Sequence, residues 1–407
     1  MKRNAILIAL TLPLLACTTG RAIAQDSPKT KLQSAGTLEF GDKNVLFVGD
    51  SKAAVVHAFE LRDSDLTSQE NVDYGNGKNF LGRDLISNVD EKLAAFLGTK
   101  VDQVSINDLV VHRPTKQILM SVSRGLGPDA KPVIVKINKG KFEILELSAI
   151  PHSQLAIENA PTDAKLSFGQ SQRSLTITDI AYWNGEIFVA GVSNEEFASK
   201  LRRAKYPFQS KFATTSVEIW HAVHAQFETR APIVTQLIRK INGKDYLIAS
   251  YTCTPLVRIP LEDIKPNAKI RGAMIGELGY GNTPIDMITF KHAFDKQDYL
   301  LVTHNSRNGT RIALTDIPKA KPMPVNSPKN YGPAGIKQIS VPVSGMLQTS
   351  KLDDNWAVVI RQHSNKAGRV DLRSMPLPLY FDRSEHIVEM NWPGYKRPAE
   401  HEKKDKK

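Results

Sequence analysis

Short apolar runs recur along the chain, separated by turns rich in Asn, Gly and Asp. Five of these runs read VLFV, IFVAGV, YLIAS, YLLV and WAVVI. Each belongs to a longer unit, in which an alternating apolar run, a turn, a second β-rich run and a small polar cluster follow one another. Six such units occur, at residues 36–61, 106–137, 178–194, 235–261, 285–314 and 345–372.

Strand units that repeat about every 50 to 70 residues are typical of a β-propeller. Each propeller blade is a four-stranded antiparallel sheet packed between two neighbours, so its strands are apolar on both faces. The pattern predicts an all-β protein whose residues 36–395 form a single propeller. We expect six blades, or seven if one long connection hides a degenerate blade.

Two connections between the units have helical character, so we expect short helical insertions. Residues 84–98 place Leu85, Val89 and Leu93 on one helical face, together with Phe96. Residues 194–206 begin with Asn and two Glu residues, which suit the first turn of a helix, and could form a second short helix.

The first 24 residues predict an export signal. Lys2 and Arg3 precede an apolar stretch, and residues 22–24 (AIA) offer the small-x-small pattern of signal peptidase cleavage. Residues 14–17 (LLAC) also resemble a lipobox, in which Cys17 would become the lipidated first residue. Both alternatives place the mature protein in the periplasm, either free or lipid-anchored.

Residues 25–35 are predicted to be a linker, and residues 396–407 a disordered basic tail. The export signal and the tail each carry +3 of the formal net charge of +12, so the body has only a mild positive excess of about +6. That excess is compatible with anionic partners. No interleaved aromatic and basic stripe is present, so we expect no nucleic-acid partner. We expect a monomer that contacts the membrane only through the possible lipid anchor.

The unit LEFGDKNVLFVGDS…VVHAFEL resembles units of bacterial YVTN-type and quinoprotein-amine-dehydrogenase-like β-propellers. The likeness covers the repeat pattern across most of residues 36–390. Those families include electron-transfer subunits, lactonase-like hydrolases and binding modules, so the resemblance implies a fold and leaves the function open. The sequence has no CxxCH haem attachment site and no Trp-rich blade motif, which disfavours a redox cofactor.

Polar residues follow the second strand of every unit, at the turn that leads into the third strand. If the repeat is right, these turns meet on the channel face and form a ligand site. The alternative is that turns are polar in any protein. The matching positions of Arg124 and Arg307 favour a small anionic ligand. The candidate ligand-binding residues are Asp50, Lys52, Arg124, Asn194, Glu195, Asn305, Arg307 and His363.

A candidate metal site comes from the segment EIWHAVHAQFETR at residues 218–230. His221 and His224 would point to opposite sides of a regular strand, so they act together only across a bend or a helical turn. Together with the Cys253 thiolate they suit copper or zinc, and Glu228 is a further ligand or a supporting partner. The alternative is two independent histidines and a buried, inert thiol.

These observations favour an exported periplasmic β-propeller that binds a metal ion or a small anionic ligand on its central channel face. Two alternatives remain open. One is an enzyme that uses the same face, either a lactonase-like hydrolase or a dehydrogenase partner. The other is a scaffold for another protein of the cell envelope. The sequence identifies no catalytic residue.

Overall fold

The computed structural model describes residues 32–75, 82–292, 295–325, 332–341, 343–363, 366, 368–377 and 392–396. The predicted export signal, most of the predicted linker and all of the predicted tail except Lys396 lie outside the described residues. The first thirteen strands are β1 (Leu38–Phe40), β2 (Val45–Asp50), β3 (Val55–Glu60), β4 (Asp84–Ile86), β5 (Val104–His112), β6 (Gln117–Arg124), β7 (Lys131–Asn138), β8 (Lys141–Ile144), β9 (His152–Ala156), β10 (Asp179–Trp183), β11 (Glu186–Val192), β12 (Ser199–Lys205) and β13 (Ala213–His221).

The chain continues with thirteen more strands, β14 (Gln226–Glu228), β15 (Ile233–Ile241), β16 (Lys244–Tyr251), β17 (Pro255–Pro260), β18 (Lys269–Glu277), β19 (Pro284–Lys291), β20 (Asp298–His304), β21 (Thr310–Ala313), β22 (Ala334–Gly335), β23 (Ile339–Ser340), β24 (Met346–Lys351), β25 (Trp356–Gln362) and β26 (Val370–Pro376). The α-helix of the described ranges is α1 (Val89–Phe96). Short 3₁₀ turns occur at Asp63–Asp65, Val101–Gln103, Gly127–Asp129, Leu147–Ala149, Gln172–Leu175, Leu261–Asp263 and Leu314–Asp316.

The strands form four small sheets and one large sheet. The small sheets have the orders β1-β2-β3-β9, β5-β6-β7-β8, β19-β20-β21-β23 and β24-β25-β26-β4. The large sheet has ten strands and follows the path β10-β11-β12-β13-β18-β17-β16-β15, with β14 on β13 and β22 on β18. Its first and last strands, β10 and β15, lie side by side, so this sheet nearly closes on itself.

The first strands of the six sequence units form a ring. Going round it, β1 lies next to β5, then come β24, β19, β15 and β10, and β10 lies next to β1 again. Apolar clusters fill the spaces between neighbouring units: Phe47 packs with Ile187, and Met120 with Val358. The second strand of a unit is therefore buried on both faces, as all six residues of β2 are. The predicted all-β, propeller-like arrangement is confirmed.

The chain does not visit the ring in sequence order. The second unit, β5 to β8, lies between the first unit and the last one. The segments before and after the second unit each add a strand to the sheet of a neighbouring unit: β4 pairs with β26, and β9 pairs with β3. Residues far apart in sequence, such as Ile86 and Leu372, are thereby hydrogen-bonded into one sheet, which closes the ring.

Three aspartates connect the inner strands in pairs. Asp108 accepts a hydrogen bond from the backbone N–H of Leu38 on β1, at 2.6 Å. Asp179 accepts one from Gln236 on β15 at 2.6 Å, and Asp286 one from Thr349 on β24 at 2.7 Å. Each carboxylate also accepts the N–H of the residue that follows it. The three bridges fall on alternate contacts of the six-membered ring.

The two predicted helices have different outcomes. Helix α1 covers Val89–Phe96, but the start of that prediction is strand β4. The second predicted helix is wrong, because its residues 199–205 form strand β12, paired on both sides within the large sheet. Within the described ranges no helix has the length and hydrophobicity that crossing a membrane requires.

Candidate functional site

The two histidines of the HxxH segment are brought together by a hairpin. Strand β13 ends at His221, a turn follows, and β14 folds back so that Glu228 pairs with Ile219. His224 lies in the turn, and its ring centroid is 3.8 Å from that of His221, with the ring planes tilted by 42°. The bend that the sequence required is therefore present.

One carboxylate holds both imidazoles. Glu228 Oε2 lies 3.0 Å from His221 Nδ1, and Glu228 Oε1 lies 2.5 Å from His224 Nδ1. An ionised carboxylate only accepts hydrogen bonds, so each Nδ1 carries the proton. In a neutral imidazole the lone pair then sits on Nε2. This arrangement of carboxylate and histidine is the one that usually orients metal-binding histidines.

The third candidate ligand comes from the next unit of the chain. Cys253 lies in the turn between β16 and β17 and is half-buried. Its backbone has a φ of 75°, in the left-handed region that a residue with a side chain rarely adopts. Metal-binding atoms of His221, His224 and Cys253 all lie within 4.8 Å of one another. Two nitrogens and one sulfur thus converge on a single point.

The electrostatics of the cluster are strongly coupled. Burial alone would lower the pKa of His221, but the neighbouring Cys253 and Glu228 outweigh it and raise the pKa to about 9. Burial would raise the pKa of Glu228, yet His221 and His224 lower it to about 2. The Nε2 atom of His221 is buried, and the Cys253 side chain acts on this imidazole as a hydrogen-bonding neighbour.

A second carboxylate, which the sequence analysis missed, lies behind the cluster. Glu277 ends strand β18 and is fully buried. Burial raises its pKa, while His221 and His224 act to lower it. Its Oε1 accepts the Gly279 N–H at 3.3 Å, and a hydrogen bond with the Thr254 side chain also acts to lower its pKa. The sequence signal was an acidic residue at the end of an apolar run, followed closely by glycine.

The cluster lies away from the inner ring. His221 ends β13 and Glu277 ends β18, and these two strands pair in parallel as the fourth strands of adjacent units. The central cavity, by contrast, is lined by the first strands and the turns that follow them. The predicted metal ligands thus meet one another, but outside the central cavity at whose face the sequence analysis placed them.

Of the eight predicted ligand-binding residues, Asp50 and Arg124 end second strands and the other six lie in the turns that follow second strands. Antiparallel pairing puts those turns beside the start of the inner strands, whereas the cavity is lined toward the end of these strands. Their contacts are local. Asp50, for example, accepts hydrogen bonds from the backbone N–H groups of Gln33, Ser34 and Ala53.

The other seven predicted residues likewise contact groups close to their own turns. The contacts are those of Lys52 with the Pro128 carbonyl, Arg124 with the Gly98 carbonyl, Asn194 N–H with the Asn159 carbonyl, Glu195 with Lys200, Asn305 with the Thr283 N–H, Arg307 with the Tyr280 carbonyl and His363 with Asp371. Among these contacts none joins two of the eight residues. Lys52 alone reaches into a neighbouring unit, so their convergence into one site stays a prediction.

The sequence analysis also missed the polar lining of the central cavity. Asp108, Asp179 and Asp286 all line it. A signal was available, because the first strands of three units contain the matching triplets NDL, TDI and IDM. An acidic residue inside an apolar run is rarely buried without a partner, so this repeated position was worth singling out.

No family model and no curated protein matches the chain. Solved structures with a similar backbone include one titled as the mitotic checkpoint complex, at 8% identity and a TM-score of 0.33, covering 93% of this chain and 100% of that one. A protein of unknown function from Dyadobacter fermentans has 9% identity and a TM-score of 0.34, with 85% and 95% covered. A GH43 endo-arabinanase from Bacillus licheniformis has 14% identity and a TM-score of 0.34, with 71% and 97% covered.

Proposed function

We propose that this protein is a propeller that binds one copper or zinc ion through His221, His224 and Cys253. The observation that carries the proposal is the convergence of three metal-binding atoms within 4.8 Å. These residues come from two different units of the chain, so local sequence alone does not bring them together. The exported location and the binding role remain part of this proposal.

The surroundings support a metal rather than a simple hydrogen-bonded cluster. Nε2 of His221 is buried, and beyond Glu228 this imidazole has the Cys253 side chain as its hydrogen-bonding neighbour. A thiol is a weak hydrogen-bonding group, so a metal ion that displaces the protons would replace a weak contact by two ligand bonds. Glu228 already holds both Nδ1 atoms, which is the support that metal-bound imidazoles require.

The donor set selects the class of metal. Imidazole nitrogen and thiolate sulfur suit copper and zinc, whereas calcium and magnesium prefer oxygen ligands. Three protein ligands leave a fourth position for water or another molecule, as in zinc sites that are not closed. His224 is partly exposed, with 42% of its side chain accessible, so an ion can reach the site from solvent.

We also infer six blades. In support, the ten-stranded sheet divides into β10-β11-β12-β13 and β15-β16-β17-β18, joined through the parallel pairing of β13 with β18. Six apolar clusters of the described residues each lie between two neighbouring units. The likeness to YVTN-type and amine-dehydrogenase-like propellers stays a resemblance.

The proposal is tested by metal analysis of protein purified without a His-tag. We expect one equivalent of copper or zinc per chain, with less than a tenth of that in Cys253→Ala. In Glu228→Gln the ligands remain, but both imidazoles lose the carboxylate and only one can still donate to the amide oxygen, so we expect affinity to fall about 10- to 100-fold. His152→Gln, a histidine outside the cluster, should bind as the wild type does. Negligible metal in the wild type, or equal metal in Cys253→Ala, would overturn the proposal.

A further inference from the structure

A cavity of about 810 Å³ lies within the ring of first strands. All six inner strands contribute to its lining, and no residue of the His221–His224–Cys253 cluster does. Its volume is in the range of pockets that hold small molecules. The cavity is therefore a second candidate site, separate from the metal site.

The deep end of the cavity is acidic. Asp108, Asp179 and Asp286 are the first lining residues of their strands, whereas turn residues such as Asn44 and Pro114 are the last. Each aspartate is fixed, because both of its oxygens accept backbone N–H groups. Burial, together with repulsion by Asp108, raises the pKa of Asp179 and of Asp286 well above the usual range. A cationic group among them would relieve that repulsion.

The open end is basic. Arg113 follows β5 and Arg239 lies near the end of β15, two strands that stand opposite each other in the ring. Burial lowers the pKa of Arg239, and repulsion by Arg113 lowers it further. The charges of the two guanidinium groups therefore repel each other at the mouth of the cavity. Arg113 is exposed and forms no hydrogen bond or ion pair with the described residues. An anionic group between the two arginines would be bound by both.

Glu39 lies between these two regions and lines the cavity. It is half-buried and forms no side-chain hydrogen bond with the described residues. Burial raises its pKa to about 8, against the opposing influence of Arg113 and Arg239. At neutral pH its carboxyl group can therefore donate a hydrogen bond to a ligand carboxylate.

We propose that this cavity binds a small zwitterion, an amino acid or short peptide with free ends. Its carboxylate would lie between Arg113 and Arg239, and its ammonium group would point toward Asp108, Asp179 and Asp286. A simple anion would interact only with the two arginines at the mouth, and a simple cation only with the three aspartates at the deep end. The separation of charge along the cavity favours a ligand that carries both groups.

Calorimetry with three matched probes tests the proposal. The probes are L-alanyl-L-alanine, its N-acetyl derivative, which lacks the ammonium group, and its C-terminal amide, which lacks the carboxylate. We expect the zwitterion to bind at least tenfold more tightly than either derivative. No binding of the zwitterion at millimolar concentration, or equal affinity for all three probes, would overturn the proposal.

Substitutions test where in the cavity the zwitterion binds. Arg113→Gln removes a side chain without a partner in the described fold, so it should fold normally and weaken binding of the zwitterion about tenfold. Lys92→Gln removes the same charge from the exposed face of α1 and should bind as the wild type does. Equal affinity in the two variants would contradict the assigned position. Cys253→Ala should also bind normally, which separates failure of this proposal from failure of the metal site.

Discussion

At the scale of single residues, the backbone of Cys253 is the most informative feature. A φ of 75° costs a residue with a β-carbon on the order of 1 kcal/mol relative to glycine. Strain of this kind concentrates at functional positions. Turn residues such as Ala54 and Ala225 also have positive φ values, so what distinguishes Cys253 is the pair of histidines beside its sulfur.

This interpretation predicts an ordering of two variants. Without metal, Cys253→Gly should be more stable than Cys253→Ala by about 1 kcal/mol, because only the alanine retains a strained β-carbon. Both should lose metal binding. Urea unfolding in the presence of a chelator measures the difference. If the alanine variant were the more stable one, the strain argument would be wrong.

Residue chemistry made some of the cluster predictable. His221, His224, Cys253 and Glu228 were identified because their side chains are suited to metals and because the repeat placed the Cys turn near the HxxH segment. Glu277 was missed, since it approaches the histidines only through the parallel pairing of β13 with β18, two strands separated by four others in the chain. Such a contact leaves no spacing pattern in the sequence.

At the scale of elements, β12 explains why one helix prediction failed. Its sequence SKLRRAK looks like a solvated helical segment, yet Lys200 and Arg202 are buried. Arg202 donates to the carbonyl groups of Thr176 and Val192, and Lys200 pairs with Glu195. These partners allow two charged side chains to be buried in the sheet, whereas the sequence pattern predicted that both would be exposed to solvent. The apolar second strands, by contrast, were predictable because they are buried on both faces.

The hydrogen bonds of Asp108, Asp179 and Asp286 connect neighbouring inner strands of the ring. Their contribution to the free energy of unfolding can be measured. Asp286→Ala leaves the backbone N–H groups of Met287 and Thr349 without an acceptor. We expect a loss of about 2–5 kcal/mol in the free energy of unfolding. Asp354→Ala is a matched control, because Asp354 is 88% exposed and its ion pair with Lys351 should contribute under about 1 kcal/mol. A loss for Asp286→Ala no larger than the control would show that the bridges are dispensable.

At the scale of the whole molecule, the charges of the central cavity predict how stability changes with pH. The pKa of Glu39 is raised from 4.5 to about 8 by burial, and the groups that act on it are Arg113, Asp108, Arg239 and Asp286. Between these two pH values the folded protein keeps a proton that the unfolded chain releases. Stability from this group is therefore lost as pH rises through that window.

Glu39→Gln removes that titration and should be stabilised relative to the wild type as pH rises. The difference in free energy of unfolding between variant and wild type should grow by about 1–3 kcal/mol from pH 5 to pH 8. Urea unfolding at the two pH values measures it. A flat difference for Glu39→Gln would mean that Glu39 is ionised throughout.

The order of the ring was the least predictable property of the molecule. The repeat predicted the strand units. It did not predict that β4 and β9, which flank the second unit, pair with strands of the last and first sheets. Short strands of three and five residues carry too little pattern to reveal partners that lie far away in the sequence. The same ring nevertheless positions the metal cluster, because it sets the third and fourth units side by side.

X-ray absorption of protein loaded with one equivalent of zinc tests the central claim most directly. The account predicts one sulfur at about 2.3 Å and two imidazole nitrogens at about 2.0 Å from the metal. In Cys253→Ser the sulfur shell should disappear while imidazole scattering remains. A wild-type spectrum with only oxygen and nitrogen neighbours, or a spectrum unchanged in Cys253→Ser, would contradict a site built from His221, His224 and Cys253.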